Sequence, residues 1–356
     1  MLQLVPFTRN ILTTLGVVIN QASKNAISIL LGTIIGAVNT IVILPKAFEG
    51  FEEGWGLLKV LTAYALIFSQ FFHAGIPNAI IRYFPKLTPE QRPAFLGWSY
   101  AIVAAGSFVF TLSFWLLGPQ FLSFVAADDA SMLSGHEVEL IILSLSLIVF
   151  YALNGYLSAV LKTTFYQFLN ETFLKAWFLL VAVGFWFNFI DFQAVLQIYV
   201  GGYVLASVLL LVYSLRAGLT FERGYFALPK RELYRYSLYS ILDRGSALIV
   251  NNLDIIMVGL LIGLEDVAFY TLAFYIGAVA MLPQKSILSI ANPIVSKAIA
   301  ENDRPALLSI YKQSSAMQLL IGGFIFVSIW ISIDEVLALL PERYEAGKWV
   351  VLYIGI

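Results

Sequence analysis

Charged and amide side chains follow one face of the apolar segment 236 to 262. At 100° per residue, Asp243, Arg244, Asn251 and Asp254 fall within one sector about 100° wide. A helix with such a stripe lines a wet cavity or packs against a polar partner. In a cavity Arg244 would bind an anion, and the two carboxylates would orient Arg244 or carry a coupling ion. The alternative is a structural role, in which both carboxylates only hold neighbouring helices together.

Other polar residues interrupt the remaining apolar segments. Gln70 and His73 share a helix face at i, i+3, and we expect His73 to be neutral and hydrogen-bonded. Lys285 would add a second cation, unless its long side chain reaches the membrane surface instead. Together with Arg244 and Asn251, the side chains that we expect to bind substrate are Lys285, Gln70, His73, Asn39 and Asn154.

The sequence lacks the residues that most catalytic and cofactor chemistry requires. The chain has no cysteine and no match to G-x-x-x-x-G-K-[ST] or H-E-x-x-H, and His73 and His136 have no carboxylate at ligand spacing. The net charge of -1 provides no basic field for a nucleic acid. We therefore expect no catalytic residue, no metal site, no cofactor and no nucleic-acid partner, and we expect a protein that is not an enzyme.

The composition indicates an integral membrane protein. Hydrophobic residues make up 60% of the chain and charged residues 12%, and the mean hydropathy is +0.85. A membrane-spanning helix needs roughly 17 to 25 apolar residues. Nine such segments are predicted, at 25–44, 57–80, 95–118, 139–161, 173–190, 194–215, 236–262, 266–290 and 315–333.

The charges between these segments predict the orientation in the membrane. Connections on one side are rich in lysine and arginine, among which we count Lys175, whereas acidic residues dominate the other side, where we place Lys59. Positive charge is retained in the cytoplasm, so the N-terminus is expected to be cytoplasmic. The acidic connections would then face outward.

Residues 24 to 96 recur in weaker form at an offset of 212. The offset pairs Arg92-Pro93-Ala94 with Arg304-Pro305-Ala306, and Asn39 with Asn251. Six spans per repeat give two lobes of equal orientation. We predict an N-terminal lobe at 1–216, a cytoplasmic linker at 217–235 and a C-terminal lobe at 236–356. A complete second lobe would extend to about residue 428, so we expect this second lobe to be truncated.

Three stretches of the chain also resemble a known family. They are Lys24 to Pro45, Gly75 to Pro85 and Asn251 to Gly259. These stretches are similar to the polysaccharide-biosynthesis flippases, often called Wzx-type, of the multidrug/oligosaccharidyl-lipid/polysaccharide exporter superfamily. The resemblance implies an all-α, polytopic, MATE-like fold of two helical lobes around a cationic cavity. It also implies the bacterial inner membrane as the location.

The resemblance implies that the protein flips a lipid-linked oligosaccharide, carried on undecaprenyl diphosphate, from the inner to the outer leaflet by alternating access. Its expected partners are that lipid, the surrounding membrane lipids and other polysaccharide-assembly proteins. One alternative is a drug/cation antiporter of the same superfamily, which would favour carboxylates without opposing cations. A second alternative is a membrane polymerase or ligase of sugar lipids, although the longest external loop, near 119 to 138, offers only His136 and acids.

Overall fold

The computed structural model describes residues 5–125 and 135–355, and within them the chain is helical and forms no β-strand. Two π-helical turns, Asn39–Ile43 and Leu169–Phe173, continue helices without a break. The α-helices in chain order are α1 (Val5–Val38), α2 (Leu44–Ala47), α3 (Glu52–Phe72), α4 (Ile76–Tyr83), α5 (Arg92–Val125), α6 (Glu137–Ala159), α7 (Thr164–Phe168), α8 (Leu174–Trp186), α9 (Phe192–Arg216), α10 (Lys230–Leu261), α11 (Leu264–Gly277), α12 (Leu282–Ala300), α13 (Arg304–Ile331), α14 (Ile333–Leu337) and α15 (Lys348–Gly355).

Nine stretches of the described chain are long and apolar enough to cross a membrane, which confirms the predicted number. Five boundaries differ from the prediction by six residues or more. The second span ends at Phe72 instead of 80, and the ninth begins at Arg304 instead of 315. The fifth span begins at Thr164 instead of 173, the eighth ends at Met281 instead of 290, and the seventh begins at Lys230. The last difference shortens the predicted linker, because the helix formers that follow Pro229 already belong to α10.

The assignment of Lys59 and Lys175 to connections between spans is wrong. Both lie near the starts of the predicted spans 57–80 and 173–190, and the structure begins these spans earlier, at Glu52 and Thr164, so neither lysine belongs to a loop. The predicted fifth span begins at 173, directly after the polar sequence Asn170-Glu171-Thr172. In the structure it forms the π turn that joins α7 to α8, so the helix and its polar side chains continue into the membrane.

The helices repeat at the offset found in the sequence. Helix α3 begins at Glu52 and α11 at Leu264, and α5 begins at Arg92 and α13 at Arg304. Both differences equal 212. Pro93 and Pro305 lie in the first turns of their helices, where the missing N–H group of proline breaks no hydrogen bond.

The two ends of the bundle differ in charge, and we name them for it. The basic end contains the connections 84–91, 160–163 and 217–229, and the acidic end contains 48–51, 187–191 and 262–263.

Near the basic end the turn between α3 and α4 packs against α10. Gly75 has a φ of +65°, and a Cβ atom there would lie 2.3 Å from the Ser237 carbonyl oxygen. Only glycine allows this close approach.

At the acidic end, α3 and α11 are joined by apolar packing and by one arginine. Trp55, Leu264 and Tyr344 belong to a single buried cluster. Arg343 Nη1 lies 3.3 Å from Glu265 Oε1 and 3.6 Å from Glu52 Oε2. The side chain of Glu52 is only 2% exposed. The first and second halves of the chain are therefore connected at this end by a buried apolar contact and by an arginine that is itself 62% exposed.

Candidate functional site

A cavity of about 340 Å³ lies between α10 and the helices α3, α4, α6 and α7. It is open toward the surface and sits in the half of the bundle nearer the basic end, because it includes the last turn of α3, the C-terminal half of α6 and the first turn of α7. The lining residues are Gln70, His73, Pro77, Asn78, Ile81, Tyr151, Asn154, Tyr166, Arg244, Ala247, Leu248 and Asn251. Five of the seven predicted substrate-binding residues are therefore brought to one cavity.

Arg244 is the cation of this cavity. Its side chain is exposed, and it has no hydrogen-bond or ion-pair partner among residues 5–125 and 135–355. Ala247 and Asn251 continue the same face of α10, as the helical periodicity predicted, and Leu248, which the periodicity places outside the stripe, also lines the cavity. A guanidinium group offers five donors in a planar fork that fits phosphate or carboxylate oxygens. The cavity can therefore bind an anion through Arg244.

His73 is held in one tautomer by its hydrogen bonds. The Gly75 N–H group donates to His73 Nδ1 at 3.1 Å, so Nδ1 carries no proton. His73 Nε2 lies 3.2 Å from Gln70 Oε1, which accepts its hydrogen. This geometry describes a neutral, hydrogen-bonded imidazole at the floor of the cavity. His73 thus supplies shape and polarity to the site but no charge.

Amides and hydroxyls form the rest of the polar lining. Asn78 Nδ2 donates to Ser240 Oγ at 2.5 Å, and Ser158 Oγ donates to Asn154 Oδ1 at 3.2 Å. Tyr151 and Tyr166 also line the cavity. The sequence reasoning missed Asn78 and both tyrosines, since tyrosine is common throughout this chain and no spacing marked them. Side chains of this kind can hold the hydroxyl groups of a sugar.

Two predicted residues are not among the lining residues. Asn39 lies in the first π turn and is 3% exposed, and its Oδ1 atom has no hydrogen-bond partner among the described residues. It is therefore buried, in contrast to its sequence equivalent Asn251. Lys285 lies on α12, and its side chain is outside the described part of the chain.

The two carboxylates of α10 do not pair with Arg244. Asp243 is exposed, and no ion pair joins it to Arg244. Asp254 Oδ2 accepts a hydrogen bond of 2.6 Å from the Tyr270 hydroxyl of α11. The other oxygen, Oδ1, is buried and has no hydrogen-bond partner in the described residues. An orienting role of Asp254 toward Arg244 therefore has no contact to support it.

Comparisons with known proteins agree with this architecture. Over 172 residues the chain is 24% identical to the "Probable low-salt glycan biosynthesis flippase Agl15" of Haloferax volcanii. This match covers 44% of the chain and 36% of the relative, so the chain matches little more than a third of the length of that protein. A solved structure with a similar fold is the inward-facing conformation of a multidrug resistance MATE family transporter of the MOP superfamily. The TM-score is 0.66 at 13% identity, covering 91% of this chain and 75% of the other.

The predicted fold class is confirmed by this likeness, which at so low an identity concerns the fold alone. The family model "Polysaccharide biosynthesis protein" matches residues 22–299, well over half of the chain and including every lining residue of the cavity. The chain belongs to the polysaccharide biosynthesis protein family.

Proposed function

We propose that the protein moves a lipid-linked oligosaccharide, carried on undecaprenyl diphosphate, from the inner to the outer leaflet by alternating access. The observation that carries the proposal is the guanidinium of Arg244, which has no partner in the described part of the chain, in a cavity whose other polar lining is made of amides, hydroxyls and the neutral His73. A diphosphate needs cations and donors, while the sugars need hydrogen bonds. The curated relative is named a glycan biosynthesis flippase, which supports the same kind of cargo.

The drug/cation antiporter is the second candidate, and the cavity does not favour it. A cationic drug needs a carboxylate, yet the lining contains Arg244 and no Asp or Glu. Asp243 and Asp254 remain candidates for a coupling ion in either case, and the free Oδ1 of Asp254 supports this role for Asp254. A polymerase or ligase is disfavoured by the relatives, which are named a flippase and a transporter.

Reconstitution of the protein into liposomes tests the cargo directly. The liposomes would contain an undecaprenyl diphosphate oligosaccharide, and an impermeant sugar-oxidising reagent would report the fraction in the outer leaflet. We expect the oxidised fraction to rise above about one half only when the protein is present, since unaided flipping of a charged head group through hydrocarbon is slow. Empty liposomes are the control. No protein-dependent rise, together with uptake of a quaternary ammonium dye, would favour the antiporter.

The orientation is a separate proposal, in which the basic end faces the cytoplasm of a bacterial inner membrane. The chain has no cysteine, so single cysteines can report it. We expect Glu53→Cys at the acidic end to react with an impermeant maleimide added to intact cells. Tyr225→Cys, 82% exposed in the basic connection, should react only after the cells are opened. The opposite pattern would invert the proposed topology.

A further inference from the structure

A groove of about 720 Å³ lies between α1, α7 and α9, and we call it the α1 groove. One wall carries Lys24, Ile27 and Leu31 of α1, and the other wall is aromatic and includes Phe168 of α7. Tyr166 of α7 lines the cavity. At 100° per residue, Phe168 lies about 200° around that helix from Tyr166. The α1 groove therefore opens on the side of α7 that faces away from the cavity.

Both walls of the α1 groove are fixed by contacts between elements. The Thr163 N–H group donates to Gln21 Oε1 at 3.2 Å, and Asn25 Nδ2 donates to Thr163 Oγ1 at 3.2 Å. These bonds hold α1 against the connection that precedes α7. On the other wall, the rings of Phe165 and Tyr213 have centroids 4.8 Å apart and join α7 to α9. The groove is therefore a fixed feature of the surface.

The α1 groove is polar near the basic end and apolar deeper in the membrane. Lys24 is the second residue of the first span, Thr164 is the first residue of the fifth, and Tyr213 lies three residues before the end of the sixth. At 1.5 Å per residue, Leu31 lies roughly 10 Å deeper than Lys24, and Phe168 roughly 6 Å deeper than Thr164. Both of these apolar side chains are exposed. The groove therefore follows the polarity of one membrane leaflet, from its surface into its hydrocarbon.

The polar part of the groove has an excess of positive charge. Lys24 is exposed, and its ammonium group has no hydrogen-bond or ion-pair partner within the described ranges. Arg216 follows Tyr213 at i, i+3, so it lies on the same face of α9 and closer to the surface. No acidic residue of the described chain lines the groove, and the sequence contains none before Glu49. A basic pocket of this kind fits an anionic lipid, whereas the ammonium of a zwitterionic lipid would find no carboxylate here.

We propose that the α1 groove binds a phospholipid with a net negative charge, of the phosphatidylglycerol type, from the leaflet at the basic end. Lys24 pairs with the lipid phosphate. The hydroxyl groups of Thr164 and Tyr213, which have no hydrogen-bond partner among the described residues, donate to the lipid oxygens. One acyl chain lies along Leu31 and Phe168. The inference is independent of the proposed function, because the groove faces away from the cavity and its lipid stays in one leaflet.

Lipid titrations of the purified protein, followed by native mass spectrometry, test this inference. Phosphatidylglycerol would be compared with phosphatidylethanolamine that carries the same acyl chains. We expect tighter binding of phosphatidylglycerol, and we expect Lys24→Gln to weaken it about fivefold, since one lysine contact to an anionic lipid is lost. Leu31→Trp should weaken the binding of both lipids, because the larger ring fills the apolar part of the groove. Lys86→Gln, which removes an exposed lysine of the basic end that does not line the groove, is the matched control and should bind normally.

Four results would overturn the inference. Unchanged phosphatidylglycerol binding by Lys24→Gln, or an equal loss in Lys86→Gln, would show that the groove does not recognise the charge. Normal binding by Leu31→Trp would show that no acyl chain lies in the groove. Competition by glycerol phosphate as strong as that by the whole lipid would indicate a site for a free phosphate. Displacement of phosphatidylglycerol by an equal amount of undecaprenyl diphosphate would assign the groove to the transported lipid.

Discussion

Replacing Arg244 by alanine is expected to remove most export of the lipid-linked oligosaccharide while the amount of protein in the membrane stays near normal. Arg244 is exposed in the cavity and pairs with no carboxylate of the described chain, so its loss strands no buried charge. A charge-assisted contact is worth about 1.5 to 3 kcal/mol. Its loss corresponds to a roughly ten- to hundredfold lower affinity for the head group.

Export and abundance have to be measured together, in a flippase-deficient strain that makes the sugar lipid. Arg244→Lys keeps the charge but loses the planar fork, so we expect partial export. Arg235→Ala is the matched control: this arginine lies on the same helix, nearer its start, and packs over Tyr239 with 5.6 Å between the guanidinium carbon and the ring centre. Normal export by Arg244→Ala would remove the residue from the site. Low abundance of that variant alone would indicate a structural role.

Helical periodicity and hydropathy predicted much of the architecture. The nine spans and the offset of 212 follow from patterns that depend on the chain alone, and the stripe on α10 follows from the 100° step of a helix. Periodicity does not predict which helix packs against each face. The stripe predicted that Arg244 and Asn251 lie on one face of α10. Which helices that face packs against, here α3, α6 and α7, depends on the tertiary structure.

The polar residues of the fifth span were misplaced for a different reason. A hydropathy reading begins a span after polar residues, so Glu171 moved the predicted start of the fifth span to 173 and left Lys175 at its end, where the charge pattern assigns it to a loop. The structure extends the same helix through a π turn, whose extra residue gives an irregular face that apolar periodicity does not describe. Likewise, Asp254 and Arg244 lie on one face, yet Asp254 is bonded to Tyr270 of the next helix. Tertiary contacts decided which polar neighbours pair.

The second large effect is expected from Gly56→Val at the acidic end. A Cβ atom at Gly56 would lie 1.8 Å from the Leu264 carbonyl oxygen, so α3 and α11 touch through backbone at this point. A valine forces the two helices apart, and overpacking of this kind costs about 1 to 3 kcal/mol or more. The proposed alternating access requires this end to close while the basic side is open. We therefore expect Gly56→Val to hold the acidic end apart and to lose export.

Spin labels at Glu53 in the first half of the chain and Glu335 in the second would measure this opening, since both side chains are exposed at the acidic end. The expected result is a longer and broader distance distribution in Gly56→Val. Gly201→Val is the control, because nothing lies within 4 Å of a Cβ atom at Gly201.

A milder change should loosen the same contact without steric strain. Arg343→Gln removes the charge that joins Glu52 to Glu265, and leaves the nearly buried Glu52 with only the Gly50 N–H group at 3.1 Å. We expect an intermediate shift in distance and slower export, since a buried carboxylate without its cation favours the open, hydrated arrangement. If Gly56→Val and Arg343→Gln both left the distances unchanged while export fell, closure of the acidic end would not be the step that these residues control.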